Sequence, residues 1–291
     1  MILSPASSLP FAFWPSAVAI VAYLLGSGLP SRPQSDHPVA STPLPDRRIW
    51  ALLVLGWLTQ GVAIVLDTLI IDGQLSGARF GFAPALSVTS WLVIAVYALE
   101  SHRLELPSVR RLLTLLAAIT VGLAWFYPGR PYPLVNQSNW LPLHWLLGFA
   151  SYGLFGAALL HAALLRHAER QMRANSGASG QIPAPVRGQA LGMPLLRLER
   201  LTLKFVSAGF VMLTLTLALG FWLTTPWHWD HKSVFSVLAW GVFATLLVGR
   251  ARFGWRGRQA VGWLIAGSTL LLLGYVGSRF VLEVILQRGT H

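Results

Sequence analysis

Leu203-Lys-Phe-Val-Ser-Ala-Gly-Phe-Val-Met-Leu-Thr-Leu-Thr-Leu-Ala-Leu-Gly-Phe-Trp-Leu-Thr-Thr225 carries a single charge, Lys204, near its start. As a helix it would reach about 35 Å at 1.5 Å per residue, enough to cross a hydrocarbon core of about 30 Å. Directly after it comes Pro226-Trp-His-Trp-Asp-His-Lys232, and then a second apolar stretch to Gly249. The reading is a membrane span, a short aromatic connection and another span. The same pattern recurs along the chain. It predicts eight spans at about 9–29, 49–70, 83–99, 110–127, 140–164, 203–225, 232–249 and 259–284.

Composition supports this. The chain has 291 residues, of which 54% are hydrophobic and 11% charged. Soluble domains carry about 25% charged residues. The expected fold is all-α: a polytopic integral membrane protein with about eight transmembrane helices, in one membrane domain over 1–291. A soluble enzyme is excluded. The net charge of +12 does not indicate nucleic acid, because the cations lie in loops between spans, where membrane topology accounts for them. There is no cysteine, hence no disulfide and no thiolate metal site.

The same cations orient the chain. All but five of the 22 Lys and Arg residues fall in the odd-numbered loops, which places those loops in the cytoplasm and predicts an N-out, C-out arrangement. The first span lacks a basic n-region and a cleavage site, so it reads as a retained helix. The longest connection, 165–202, is expected to be a cytoplasmic loop with a flexible middle from Ala174 to Ala184. Leu191 to Lys204 suits a short helix on the inner leaflet or an ordinary membrane-proximal loop.

This topology puts Trp222, Trp227, His228, Trp229, Asp230 and His231 on the outer face. His144, in the first turns of the fifth span, lies on the same face. Two neutral imidazoles meeting across a cleft can ligate haem iron axially, with tryptophan faces against the porphyrin. His144 and His231 are the candidate ligands, and His228 is an alternative to His231 that spacing does not exclude. The propionates would seek cations, and Arg79, Arg130 and Lys232 are on the correct side. Asp230 suits a cap for the seventh span and could also orient an imidazole. Trp14, Trp125 and Trp140 read as an interfacial belt. His161 lies about 25 Å from His144 along a helix, so it cannot share that site. With His167 it reads as an inner-leaflet surface residue. Gln60 falls near the midplane of the second span, with Asp67 and Asp72 near its outer end. Arg279 and Glu283, one turn apart, are positioned to pair. Arg279 is a further candidate for a propionate.

These residues resemble the cytochrome c assembly protein family, the haem-handling CcsA/CcmC/HemX-like membrane proteins, and most of all its small YpjD-type inner-membrane branch. The likeness rests on Trp227-His-Trp-Asp-His-Lys232, on Gly254-Trp-Arg-Gly-Arg258 after the next span, on Tyr275 to Leu286, and on Leu143-His144 with Ser151-Tyr152. It covers mainly residues 140–284, within an assembly-like region of about 48–287. The resemblance implies a bacterial inner-membrane protein that binds haem on its outer face and presents it to apocytochrome c or other assembly proteins. That is a haem-handling assembly factor rather than an enzyme. The chain also departs from the family. Val248 and Gln60 stand where relatives carry histidine, and the second long outer loop is lacking. The resemblance therefore implies one haem site at most. Its competitor is a non-haem accessory protein that keeps the fold without the ligands. A transporter is a third class, and the chain shows no paired Gly/Pro-broken helices to support it.

Overall fold

The structure is a computed structural model that describes residues 12–29, 47–69, 77–101, 107–133, 138–178, 195–224 and 229–285. Its helices are α1 (Phe13–Gly28), α2 (Arg47–Leu69), α3 (Phe82–Ser101), α4 (Pro107–Phe126), α5 (Leu141–Ala178), α6 (Leu195–Leu223), α7 (His231–Phe253) and α8 (Gly257–Leu272). The last continues through two π-helical turns, Leu273–Gly277 and Val281–Ile285, with Ser278–Phe280 between them. Seven helical stretches among the described residues are long and apolar enough to cross a membrane, and α1 is a shorter apolar helix. Among these residues the strands are two short ones, β1 (Gly77–Phe80) and β2 (Arg130–Pro133), paired antiparallel in a ribbon.

Two helices run past the expected spans. The fifth span is expected to end at 164, but α5 continues to Ala178. The added residues include Arg, Ala, Glu, Gln and Met, all good helix formers. Falling hydropathy ends the span without ending the helix. α6 begins at Leu195, so the segment expected to lie separately on the inner leaflet is, from there on, the first turns of the sixth helix. Residues 179–194 lie outside the described residues.

The packing forms two compact units: Met1–Ala98 with Glu105–Gln137, and Leu99–Leu104 with Ser138–His291. In the first unit α1 packs antiparallel to α2. A Cβ on Gly56 would lie 2.7 Å from the Tyr23 ring, so glycine is what admits that ring. A polar network runs through the unit's largely apolar interior. Tyr23 donates to Gln60 Oε1 (2.7 Å), and Gln60 Nε2 donates to Ser87 Oγ and Ser90 Oγ (3.2 Å each). Ser90 Oγ shares a hydrogen bond with Thr120 Oγ1 (2.7 Å). Amides and hydroxyls in an apolar medium are costly unless paired, and here side chains of four helices satisfy one another. Beside this network Trp57 and Trp91 stack 4.7 Å apart, each indole donating to the other's backbone carbonyl.

The second unit is an antiparallel bundle of α5 to α8. His161 packs on Phe205 low in the α5–α6 pair and His144 meets Thr216 at its other end. Phe155 and Phe243 stack 3.8 Å apart at the centre, and Gly267 leaves room for the Phe243 ring. One end of this bundle gathers Trp140, His144, Trp222 and the head of α7. The other gathers Glu199, Arg250 and the turn after α7. There Glu199 on α6 meets Arg250 at 2.7 Å and Arg256 at 3.4 Å.

Candidate functional site

α5 starts from a turn in which Ser138 accepts the Leu141 N–H on its carbonyl and the Trp140 N–H on its hydroxyl. His144 is thereby the fourth residue of the helix. Its side chain crosses to α6, where Nδ1 lies 3.0 Å from the Thr216 carbonyl oxygen. A carbonyl only accepts, so Nδ1 carries a proton, and in the neutral ring Nε2 carries the lone pair. The approach depends on Gly220, because a Cβ there would lie 2.9 Å from His144 Cε1. A ligating histidine typically donates its other ring N–H to a carbonyl or carboxylate, which fixes tautomer and orientation. His144 has that arrangement.

The neighbouring aromatic side chains come from both sides of the α6–α7 connection. Trp222 lies 6.3 Å from Trp140. Trp222 and Trp229 are exposed over about two thirds of their surface. Asp230 caps α7 as expected, its Oδ1 accepting the Ser233 N–H at 2.8 Å. Partial burial pushes the Asp230 carboxyl up. Hydrogen bonding from Ser233 and the charges of Lys232 and His231 outweigh this and hold it below the usual carboxylate range. His231 is the first residue of α7 and is exposed. Trp227 and His228 lie outside the described residues, as does Asp72.

An apolar cleft of about 400 Å³ opens between α6 and α7, with Thr214, Leu217, Phe221, Trp229 and Trp240 among its walls. Trp240 donates to Thr214 Oγ1 and stacks on Phe210. At 3.6 residues per turn, Thr214, Leu217 and Phe221 form one stripe of α6, whereas Thr216 and Gly220 fall on another. Trp229 therefore belongs to the cleft, and His144 faces a different side of α6. Among the described residues, no group of three or more His, Asp or Glu side chains is arranged to hold a metal ion. His144 offers a single oriented imidazole on one side of α6, and the aromatic-walled cleft lies on another.

The remaining expected residues are more scattered. Arg79 is in β1 of the first unit and has Asp67 as a charged neighbour. Arg130 is in β2, and its side chain lies outside the described set. Lys232 has Arg279 and Asp230 as charged neighbours. Arg279 stands between the two π-helical turns, its buried Nε without a hydrogen-bond partner among the described residues. Tyr152 donates its hydroxyl to the Leu271 carbonyl, just before the first π-helical turn. The reading of His161 as a surface residue is wrong. It is 1% exposed, bonds through Nδ1 to the Ala157 carbonyl (2.7 Å) and packs on Phe205. The amphipathic ring fits a helix interface because its own helix meets a polar demand of the ring. Sequence reasoning missed Thr216 and Gly220. The contributing groups are a backbone carbonyl and an absent Cβ, and neither leaves a side-chain signal.

These features define a class: a helical, multi-span membrane protein with an imidazole-bearing aromatic end. The chain belongs to the cytochrome c assembly protein family, which residues 51–286 match. It is similar to the inner membrane protein YpjD of Escherichia coli (strain K12), 30% identical over 231 residues that cover 77% of this chain and 82% of that one. It is also similar to the cytochrome c biogenesis protein CcsA of Prochlorococcus marinus (strain MIT 9313), 25% identical over 277 residues, 78% of this chain and 87% of that one. CcsA of Parasynechococcus marenigrum (strain WH8102) is 29% identical over 165 residues, 50% and 54% of the two chains.

Proposed function

We propose that the chain acts in cytochrome c biogenesis, holding haem at the aromatic end of its second unit on the outer face of a bacterial inner membrane. The observation that carries this reading is the His144–Thr216 hydrogen bond across Gly220, which leaves Nε2 as a donor to iron. Membership of the family and similarity to a named inner membrane protein support the setting. Haem supplies the iron and the porphyrin to be delivered, and the chain supplies ligation and orientation. His144 would supply one imidazole to the iron, and His231, or His228 in its stead, would supply the other. Trp222 and Trp227 offer flat faces, Trp229 walls the neighbouring α6–α7 cleft, and Asp230 steadies the head of α7 beside His231. Lys232 and Arg279 offer charge to the propionates. The receiving partner is apocytochrome c or another assembly protein.

The test is a haem titration of the detergent-purified protein, recorded oxidised and reduced. A saturable low-spin bis-imidazole spectrum lost in both His144→Ala and His231→Ala supports the proposal. Absence of saturable binding, or binding indifferent to both substitutions, overturns it. A second reading, a non-haem accessory protein, draws on the separate seats of the two residues, His144 against α6 and His231 exposed at the head of α7. The same titration decides between them.

A further inference from the structure

The Gly254-Trp-Arg-Gly-Arg258 motif plays no part in that reading, and it lies at the opposite end of the bundle. Gly254 ends α7 with φ of 65°, and Gly257 opens α8 with φ of 57°. Both values lie in the left-handed region that glycine tolerates best. The tight turn folds Trp255 onto the bare Cα of Gly249, where a Cβ would overlap the indole. Trp255 stacks on Trp263 (5.6 Å) and Phe253 (6.3 Å), and Phe253 is 73% exposed. Arg252 at the end of α7, Arg256 in the turn and Arg258 at the start of α8 are exposed. The nearest carboxylate, Glu199, is already held by Arg250 at 2.7 Å, with Arg256 farther off at 3.4 Å. The turn therefore presents more cation than its own acid can neutralise, mounted on an aromatic shelf.

Aromatic rings that reach the interface level beside arginines that extend to the headgroups fit a phosphodiester over an acyl chain. We propose that this turn is a binding site for an anionic phospholipid of the adjoining leaflet, with Arg252, Arg256 and Arg258 holding the headgroup phosphate and Phe253 meeting the chain below it. The site does not depend on haem. A general attraction of all basic loops to an anionic surface would not need this geometry, and the two can be separated.

The full-length protein is exchanged into detergent with added phosphatidylglycerol, phosphatidylcholine or soluble glycerol phosphate. Retained lipid is read by native mass spectrometry and the unfolding midpoint by thermal scan. Phosphatidylglycerol is retained and raises the midpoint by a few degrees, as a ligand bound only to the folded state does. Phosphatidylcholine and glycerol phosphate do neither. Arg252→Gln, Arg256→Gln and Arg258→Gln together abolish retention. Arg166→Gln, Arg170→Gln and Arg200→Gln, which remove the same charge from the same end, leave it intact. Equal retention of the two lipids overturns the site, and so does equal loss in the two triple variants. A shift produced by glycerol phosphate alone would mean a free-phosphate site and would overturn the lipid assignment.

Discussion

Replacing Gly220 with alanine tests the link between packing and ligation most directly. The new methyl carbon would stand 2.9 Å from His144 Cε1, whereas carbon atoms rest at about 3.5–4.0 Å. The ring must retreat by roughly 0.6–1 Å to reach that separation. The Nδ1 to Thr216 bond, 3.0 Å at present, then stretches past about 3.5 Å and ceases to be a hydrogen bond. Its loss costs about 0.5–1.5 kcal/mol. Alanine returns about 0.8–1 kcal/mol of helix propensity relative to glycine. The two nearly cancel, so the thermal midpoint changes little. Haem affinity does not share the compensation, because an imidazole released from its orienting partner typically loses about 10–100-fold in metal affinity. The assay is a haem titration followed in the Soret region, with a thermal scan on the same preparation. Unchanged affinity with an unchanged midpoint would refute the idea that the Thr216 carbonyl orients a ligand. A collapse in stability would refute the energy balance.

His161→Ala empties a fully buried site against Phe205 and should destabilise the protein by about 2–4 kcal/mol without altering a haem spectrum; a lost spectrum in a folded variant would return His161 to the candidate ligands. Glu199→Gln leaves Arg250 without its counter-charge at a position about four-fifths buried. Its cost should be about 2–3 kcal/mol, below the roughly 3–5 kcal/mol of a fully buried pair because some solvent reaches it. Chemical unfolding in mixed micelles reads this, and a change under about 0.5 kcal/mol would count against the pair as a clamp. Asp230→Ala removes the α7 cap at about 1 kcal/mol. The folded carboxyl is held below its usual range, so this contribution is present above an unfolded value of about 3.9 and fades as pH falls through the folded value. The gap between variant and parent midpoints should therefore narrow in acid, and a gap that widens there would be inconsistent with the sign.

Much of the architecture was legible in the chain. A span is announced by some twenty apolar residues in succession, so the helices expected at 49–70, 83–99, 110–127 and 232–249 match α2, α3, α4 and α7 closely. Where hydropathy and helicity part company, as after Leu164 and before Leu203, the boundaries were missed. Helix formation there follows residue propensity, whereas the span was read from apolarity. The Asp230 cap was readable because capping is local. The environments of His161 and Gln60 were not. Burial of a polar side chain depends on partners such as Phe205 and Tyr23, which are far away in sequence.

Apolar length and local motifs can be read along one dimension. They suffice to establish a multi-span helical membrane protein, to cluster its tryptophans and histidines at span ends, and to reveal the family its motifs resemble. Three facts about the site needed the packed helices: His144 is held by the Thr216 carbonyl, Gly220 must lack a side chain, and Trp229 and His144 address different faces of α6. The setting of Arg279 is of the same kind. The sequence reads Arg279 and Glu283 as neighbours on one α-helical face. In the structure Arg279, which follows the first π-helical turn, also has Lys232 of α7 as a charged neighbour. Backbone carbonyls, missing Cβ atoms and helix register have no side-chain signature, and their consequences appear only when one helix is laid against another.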